Sequence, residues 1–155
     1  MSNELISVVM STYNEPEEWI RKSIESILGQ TIKRLEFLIV CDNPNNKELI
    51  NLLEEYKEKD KRIKLIINEK NIGLTKSLNK ALNMIVGDFI ARMDSDDIAI
   101  KDRLEKQLKY LKDNNLDLIG SGVVCIDEEE NEITTLNNLP KDNESFKKRV
   151  IYNNC

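Results

Sequence analysis

Histidine is absent from this 155-residue sequence and cysteine is scarce, which removes several kinds of chemistry. A Ser-His-Asp triad needs an imidazole base, so neither Ser11 nor Ser95 can be the nucleophile of one. His-ligated metal sites are excluded for the same reason. The three cysteines, Cys41, Cys125 and Cys155, lie far apart, match no metal-binding spacing and are odd in number. Reduced thiols in a cytoplasmic protein are the simplest interpretation.

Long apolar runs and extended basic stripes are also lacking. No apolar run is long enough to span a bilayer, so no transmembrane segment is expected. The formal net charge is -5, and a chain that is acidic overall is a poor candidate for binding nucleic acid. The short basic segments "KEKDKRIK" and "FKKR" are surrounded by acidic residues, and we interpret them as solvated helix faces.

The sequence does contain short β-branched apolar runs that alternate with amphipathic segments. We predict five strands, at 5–11, 35–41, 63–67, 88–93 and 116–126, of which the first two are the clearest buried ones. Helices are expected within 12–30 and over 47–59, 73–85 and 102–114. This alternation predicts βαβ units and a mainly parallel sheet covered on both faces, in a single α/β domain. After residue 127 the chain is polar, with one short strand near Ile133 and the start of a helix in "ESFKKRVIYNNC".

Each predicted helix carries an apolar stripe at helical spacing, which should face the sheet. Pro16 suits the first turn of the first helix, with Glu17 and Glu18 behind it, and Gly29 is well placed to end that helix. The stripes comprise Ile20, Ile24, Ile27 and Leu28 in the first helix, Leu74, Leu78, Leu82 and Ile85 in the third, and Leu104, Leu108 and Leu111 in the fourth.

Polar segments follow four of the predicted strands: "STYNEP", "DNPNN", "NEKNIG" and "DSDD". Open α/β sheets bind ligands outside the carboxyl ends of their strands, so these segments predict a site for a polar, hydrogen-bonding ligand. The first lacks a G-x-G-x-x-G sequence, and "NIGLTKS" lacks the spacing of a P-loop. A magnesium-dependent phosphoacceptor domain would need its acidic pair after the first strand, where this chain has "STYNE".

Three carboxylates, Asp94, Asp96 and Asp97, lie within four positions at the end of the fourth strand. Asp94 and Asp96 flank one residue, so in an extended turn they can converge on one hard cation such as Mg²⁺ or Mn²⁺. Asp97 could cap the next helix or orient the ligand. The alternative is that "DSDD" is only a turn and helix cap, since Asp and Ser favour both. Three like charges exceed what a cap needs, and the strand-end position favours a metal.

These segments, in this order and spacing, resemble the family 2 glycosyltransferases, whose nucleotide-sugar domain has the GT-A fold. The similarity covers roughly residues 5–126 and rests on "VVMSTYNEPEEWIRKSIESILGQT", "LEFLIVCDNPNN", "NIGLTKSLNKAL" and "FIARMDSDD" followed by "RLEKQL". It implies a Rossmann-like α/β/α domain whose donor-binding half ends near 126. Residues 127–155 would begin the acceptor half, and the sheet would continue past Cys155.

The resemblance also implies roles for individual residues. Asp96, with Asp94, would bind a Mn²⁺ or Mg²⁺ ion that bridges the diphosphate of a nucleoside diphosphate sugar, expected to be a UDP-sugar. Tyr13 would stack near the base, and Asp42 would accept a hydrogen bond from a uracil-type base edge. The full set expected to bind the nucleotide sugar is Ser11, Thr12, Tyr13, Asn14, Glu15, Asp42, Asn71, Gly73, Asp94 and Ser95.

Several of these assignments have ordinary structural alternatives. Tyr13 could cover the core, Glu15 could be a helix-start acid, Asp42 could form an Asx turn, and Asn71 with Gly73 could be plain turn chemistry. The chain also departs from the family pattern, because Leu78 stands where many members have Arg. A phosphate-facing cation would then come from Lys70 or Lys76, or be absent.

The implied reaction is inverting sugar transfer to a glycan or lipid-linked acceptor in surface polysaccharide synthesis. The expected location is the cytoplasm, with peripheral association at the inner face of the cell membrane. No general base is recognisable, and the acidic run from Asp127 to Glu130 is interpreted as a solvated turn. Two other interpretations stay open: a nucleotide-sugar-binding fragment without turnover, and a non-catalytic α/β interaction domain.

Overall fold

A computed structural model describes residues 4–137, 139–140, 142 and 144–145. The strands are β1 (Ile6–Thr12), β2 (Leu35–Cys41), β3 (Ile63–Ile67), β4 (Phe89–Asp94), β5 (Val123–Ile126) and β6 (Glu132–Leu136). The helices are α1 (Glu17–Leu28), α2 (Lys47–Lys59), α3 (Leu74–Leu82) and α4 (Arg103–Asp113). The chain divides into two units, Met1–Lys106 and Gln107–Cys155, each described separately below.

The first unit is built on a four-stranded sheet with the order β3-β2-β1-β4. All three neighbouring pairs are parallel, and Ser11 of β1 lies in register with Val40 of β2 and Asp94 of β4. The carboxyl ends of the four strands therefore meet at one edge of the sheet. The predicted α/β fold with a mainly parallel sheet is confirmed.

Helices cover both faces of this sheet. Val9 and Met10 are consecutive in β1, so their side chains point to opposite faces. Val9 belongs to a buried cluster that includes Ala81 of α3. The Met10 sulfur accepts a 3.4 Å hydrogen bond from the Ser23 hydroxyl of α1. The first unit is thus a three-layer α/β/α arrangement around the buried strands β1 and β2.

The apolar stripe predicted for α3 is wrong in part. Ser77 and Ala81 are the buried residues of this helix, and Leu78 with the following Ile85 packs beside them. Leu74 is 50% exposed. Small side chains bring α3 close to the sheet, so the large residues lie at the margins of the contact rather than beneath the helix.

The fifth strand also differs from the prediction. Instead of a strand over 116–126, β5 begins at Val123 and pairs antiparallel with β6 in a separate two-stranded sheet. Val123 and Val124 are about half exposed, so neither side of the pleat is buried. The short strand expected near Ile133 is confirmed as β6. The predicted C-terminal helix lies outside the described residues, except that 144 and 145 have helical backbone.

A buried acid, Glu36, occupies the amino-terminal end of the sheet, away from the polar loops. Its carboxylate accepts hydrogen bonds from the Ser7 hydroxyl at 2.5 Å and the Val86 amide at 2.7 Å. The Lys64 ammonium pairs with it at 2.6 Å. Burial favours the neutral acid, but the hydrogen bonds from Lys64, Ser7 and Val86 outweigh it and hold the pKa of Glu36 below its ordinary value.

We expect Glu36→Gln to lower the free energy of unfolding at pH 7 by about 1–3 kcal/mol, because hydrogen bonds to a charged acceptor are lost. A lowered pKa in the folded state means that the unfolded chain binds more protons. The difference in stability between the wild type and Glu36→Gln should therefore be complete above about pH 4.3, the pKa of a glutamate in the unfolded chain. It should disappear as the pH falls through the lower pKa of Glu36 in the folded protein. Urea unfolding at pH 7 and in steps below pH 4.5 measures it, with the exposed Glu58→Gln as control. An advantage that does not change with pH would contradict this account.

Candidate functional site

The loops that follow β1 and β2 are tied to each other at the carboxyl edge of the sheet. The Asp42 amide donates to the Thr12 carbonyl at 2.9 Å. The Asn43 side-chain amide donates to the Asn14 side-chain oxygen at 2.6 Å. Asn14, predicted as a binding residue, therefore joins two of the four polar loops and holds them in a fixed relation.

Glu15 acts within the first loop. Its carboxylate accepts hydrogen bonds from the Thr12 hydroxyl at 2.7 Å and the Tyr13 amide at 2.8 Å. Burial favours the neutral acid, but hydrogen bonds from Thr12, Tyr13 and the Ser95 side chain outweigh it, so the pKa of Glu15 is lowered. The Ser95 contact links the loop after β1 to the turn after β4. The carboxylate therefore stays charged and braces two predicted binding segments.

The side chains at the end of β1 differ in accessibility. Ser11 and Thr12 are buried, whereas Tyr13 is 42% exposed. Tyr13 does not serve only to cover the core, and part of its ring is open to a stacking partner. Ser11 lies beside Asp94 across the β1–β4 pairing.

Asp42 is 3% exposed and has both carboxylate oxygens occupied by the loop before α3. One oxygen accepts from the Asn68 side chain at 2.8 Å and the Ile72 amide at 2.9 Å. The other accepts from the Gly73 amide at 2.8 Å. Burial favours protonation, but these bonds, with a further one from Ser77, lower the pKa of Asp42. The Asx turn in this region is formed by Asn43 instead, whose side chain accepts from the Asn45 amide.

The loop before α3 is shaped by this carboxylate and by glycine. Gly73 has φ 85° and ψ 159°, a conformation essentially restricted to glycine. Its amide also donates to the Asn71 side chain at 3.0 Å. Asn68 is buried, donates to Asp42 and Ser77, and accepts from the Lys80 ammonium at 2.9 Å. Asn71 and Gly73 thus lie where the sequence placed them, in a loop fixed from beneath by Asp42.

The acidic segment after β4 forms a turn that does not cap α4. The Asp97 amide donates to the Asp94 carbonyl at 3.3 Å. The helix begins only at Arg103, so Asp97 does not cap it, and the alternative that Asp97 orients the ligand stays a prediction. Asp94 Oδ1 accepts from the Arg92 guanidinium at 2.7 Å. Asp96 lies exposed at the turn.

The electrostatics of the turn reveal an excess of negative charge. Burial, followed by the neighbouring charges of Asp94 and Asp96, raises the pKa of Asp97, and Arg103 and Arg92 only partly oppose this. Arg103 itself has a lowered pKa because it is buried, although Asp97 and Asp94 counteract the effect. Arg92 and Arg103 therefore supply positive charge beside the turn. That a phosphate-facing cation comes from Lys70 or Lys76, or is absent, stays a prediction.

The donor set fits a hard divalent cation only with help from a ligand. In the described part of the chain, no three His, Cys, Asp or Glu side chains are grouped as a metal site would require. Mg²⁺ is commonly held by one or two carboxylates, with waters and substrate phosphates completing the shell. Asp94 and Asp96 supply oxygen donors of that kind on a turn whose like charges repel each other. The residues present therefore fit a cation that arrives with a diphosphate.

The side chain of Asp127 is used in hydrogen bonds within the β5–β6 hairpin. Its side chain accepts from the Glu129 amide at 2.9 Å and the Asn131 amide at 2.8 Å. Hydrogen bonds from Asn131, with the Glu129 amide, lower the pKa of Asp127, which makes it a weaker base. The interpretation of this acidic run as a solvated turn agrees with these contacts.

Several residues around the site were not identified from the sequence. Arg92 lies within the predicted strand 88–93 and had no role assigned to it. Asn68 is the first residue of the polar segment "NEKNIG" but was not named as a site residue. Three further polar residues, Ser23, Ser26 and Gln30, contact the segment after β4. The sequence did contain a signal, since polar residues in "SIESILGQ" recur at helical spacing beside the apolar residues that face the sheet. Buried polar groups nearly always have hydrogen-bond partners, so these residues were candidates for such contacts.

Comparisons with known proteins bear on the family and the fold. The family model described as Glycosyl transferase family 2 matches residues 7–155. An uncharacterized glycosyltransferase of Methanocaldococcus jannaschii is 53% identical over 132 residues, which is 84% of this chain and 46% of that protein. Escherichia coli WfgD, named as a UDP-Glc:alpha-D-GlcNAc-diphosphoundecaprenol beta-1,3-glucosyltransferase, is 39% identical over 116 residues, or 75% of this chain and 44% of WfgD. The chain spans less than half the length of these relatives.

A solved structure shares the fold. S. aureus TarS in complex with UDP superimposes with a TM-score of 0.63 and 27% identity, over 71% of this chain and 32% of TarS. The predicted GT-A fold is therefore confirmed. Among the helices of the described residues, none has the length and apolar character needed to cross a membrane.

Proposed function

The chain belongs to glycosyltransferase family 2, and we propose that it supplies the donor-binding part of an enzyme that uses a nucleoside diphosphate sugar. The proposed donor is a UDP-sugar. The proposed acceptor is a glycan or a lipid-linked glycan in surface polysaccharide synthesis, at the cytoplasmic face of the membrane. WfgD, whose name specifies a UDP-sugar donor and a lipid-diphosphate acceptor, and the UDP complex of TarS support this choice.

The observation that carries the proposal is that four polar strand-end loops are bonded into one edge. Asn14 joins the first loop to the second, Asp42 joins the second to the third, and Glu15 joins the first to the turn after β4. A sheet edge with only a structural role would not need hydrogen bonds between its loops while further polar groups stay exposed there. Such a preorganised edge suits a polar ligand that touches all four loops.

Each loop has a proposed role toward the donor. Tyr13 offers its exposed ring to the base, and Asn71 lies in the loop that borders the donor. Asp42 acts by holding the Ile72 and Gly73 amides, because both of its oxygens are already occupied. Ser11, Thr12 and Ser95 support the exposed groups from beneath.

Asp94 and Asp96 are proposed to hold Mn²⁺ or Mg²⁺ together with the diphosphate of the donor. The bound cation would supply Lewis-acid stabilisation of the charge that develops on the leaving diphosphate. Arg92 neutralises Asp94 through its hydrogen bonds. Arg103 donates to the Arg92 carbonyl at 2.8 Å and so stiffens the strand that carries the site.

Sugar transfer with inversion also needs a base that takes the proton of the acceptor hydroxyl. We assign that role to none of the residues that the structure describes, since Asp127 is engaged in its hairpin. This favours, as a second candidate function, donor binding without efficient transfer by the 155 residues alone. The non-catalytic interaction domain is disfavoured because the acidic turn caps no helix.

The test is release of nucleoside diphosphate from UDP-Glc, UDP-GlcNAc and GDP-mannose, with Mn²⁺ or with chelator, and with and without glycan acceptors. We expect slow, metal-dependent release from a UDP-sugar with little stimulation by acceptor. Losing general-base catalysis alone typically costs about 10²–10⁴-fold. Strong acceptor-stimulated turnover would show that the base lies within this chain. Failure to release or bind any nucleoside diphosphate in a folded sample would refute the proposed function.

A further inference from the structure

Three polar side chains, Ser23, Ser26 and Gln30, lie at helical spacing on the inner side of α1 and just beyond its end. Ser23 and Gln30 are fully buried. Positions three and four apart share one side of a helix, so the three side chains form a row next to the apolar stripe. We name this row the α1 polar ladder.

The two serines of the ladder bind the main chain on either side of Asp96. The Ser23 hydroxyl donates to the Asp94 carbonyl at 2.9 Å. The Ser26 hydroxyl accepts from the Ala99 amide at 3.0 Å. Only residues 95–98 lie between these two attachment points. The Cα of Asp96 is therefore restricted by bonds that belong to α1.

Gln30 fixes the segment that follows. Its side-chain amide donates to the Ile100 carbonyl at 2.8 Å, and its oxygen accepts from the Leu104 amide at 3.0 Å. The first amides of a helix have no partner within the helix, so Gln30 satisfies one at the start of α4 from outside. The Thr31 amide adds a bond to the Lys101 carbonyl at 3.0 Å.

The turn itself has little apolar packing that could hold it in place without these hydrogen bonds. Ile98, the one apolar residue among 95–98, is 46% exposed. The main chain of the turn is thus held mainly by hydrogen bonds, from the ladder, from the Asp97 amide to the Asp94 carbonyl, and through the contact of Ser95 with Glu15. The Asp94 carboxylate is held in addition by Arg92. A site that must place oxygen atoms accurately around a cation needs this kind of support from neighbouring residues.

We propose that Ser23, Ser26 and Gln30 are positioning residues that hold the turn from Asp94 to Asp96 in the geometry that binds a divalent cation together with a nucleoside diphosphate. This assignment rests on the proposed function. It adds that metal affinity is set partly by side chains that bond to the main chain around the turn rather than to its carboxylates.

Ser26→Ala tests the proposal, because it removes the partner of the Ala99 amide with the loss of one oxygen atom. We expect the apparent Kd for Mn²⁺ at saturating UDP to rise about three- to tenfold, the equivalent of one hydrogen bond, while UDP affinity in chelator stays unchanged. Hydrogen exchange of the Ala99 amide should accelerate without metal. Ser26→Thr, which keeps the hydroxyl, should restore the metal affinity. The matched control is Ile27→Val, which perturbs the same helix through its core face.

The outcomes separate this proposal from the function on which it rests. No metal-dependent UDP binding by the wild-type chain would overturn both. Metal-dependent binding that Ser26→Ala weakens no more than Ile27→Val would overturn the positioning role alone. If Ser26→Ala does not fold, Ser23→Ala decides by the same criterion. It keeps the bond between Ser26 and the Ala99 amide and removes the bond to the Asp94 carbonyl, together with the contact to the Met10 sulfur.

Discussion

Asp96→Asn should remove most of the metal-dependent affinity for UDP while the protein stays folded. The substitution keeps the size of the side chain but removes an anionic oxygen donor from a hard cation. Loss of residues that merely support metal ligands typically costs about 10–100-fold in metal affinity, so loss of a ligand should cost at least tenfold. Because the Asp96 side chain is exposed at the turn, the fold has little reason to change.

Titration of UDP in the presence of Mn²⁺ and of chelator measures the effect, and thermal unfolding checks the fold. Asp117→Asn, an exposed carboxylate in the second unit, serves as control. Unchanged affinity with a lowered unfolding temperature would mean that the acidic turn has only a structural role. That result would support the alternative that this is a non-catalytic α/β interaction domain.

Asp42→Asn should be the most destabilising single change at the site. The asparagine would turn an NH₂ group toward amides of Ile72, Gly73 or Asn68 that now donate to a carboxylate. We expect the free energy of unfolding to fall by about 2–4 kcal/mol, since buried donors lose a charged acceptor. UDP affinity should fall as well, because the loop before α3 is no longer held against the end of β2.

The control for Asp42→Asn is Asp60→Asn, which breaks a structural pair with Arg62 away from the polar edge. Both variants should lose stability, measured by urea unfolding, but only Asp42→Asn should lose UDP affinity beyond the unfolded fraction. Full UDP affinity in a destabilised Asp42→Asn variant would show that the loop before α3 does not contribute to the site.

The sheet and its polar edge were predictable from sequence because both depend on local patterns. The strand 35–41 and the helix 47–59 agree with the structure at both ends. Parallel strands necessarily bring their carboxyl ends together, so the segments after β1, β2, β3 and β4 had to be neighbours. The predictions of the α3 stripe, in part, and of the fifth strand were wrong because apolar residues become buried only where another surface packs against them.

The chemistry within the edge was harder to predict because it depends on long-range hydrogen bonds. The sequence named Asp42 as a candidate, but it could not show that both of its oxygens are used by amides 30 and 31 residues away. Likewise, Gln30 bonds to Leu104 across 74 positions. Spacing along the chain identifies candidate carboxylates, but only the fold shows which are free for a ligand and which brace the others.

The loops at the carboxyl edge are proposed to bind a nucleoside diphosphate together with a divalent cation. Isothermal titration calorimetry of the wild-type chain with UDP, first with Mn²⁺ or Mg²⁺ and then with excess chelator, measures this binding. We expect one binding site per chain, with an affinity that falls markedly when the metal is removed. Binding of equal strength in chelator would contradict the metal role of Asp94 and Asp96, and no binding of UDP or any other nucleoside diphosphate to the folded chain would contradict the account as a whole.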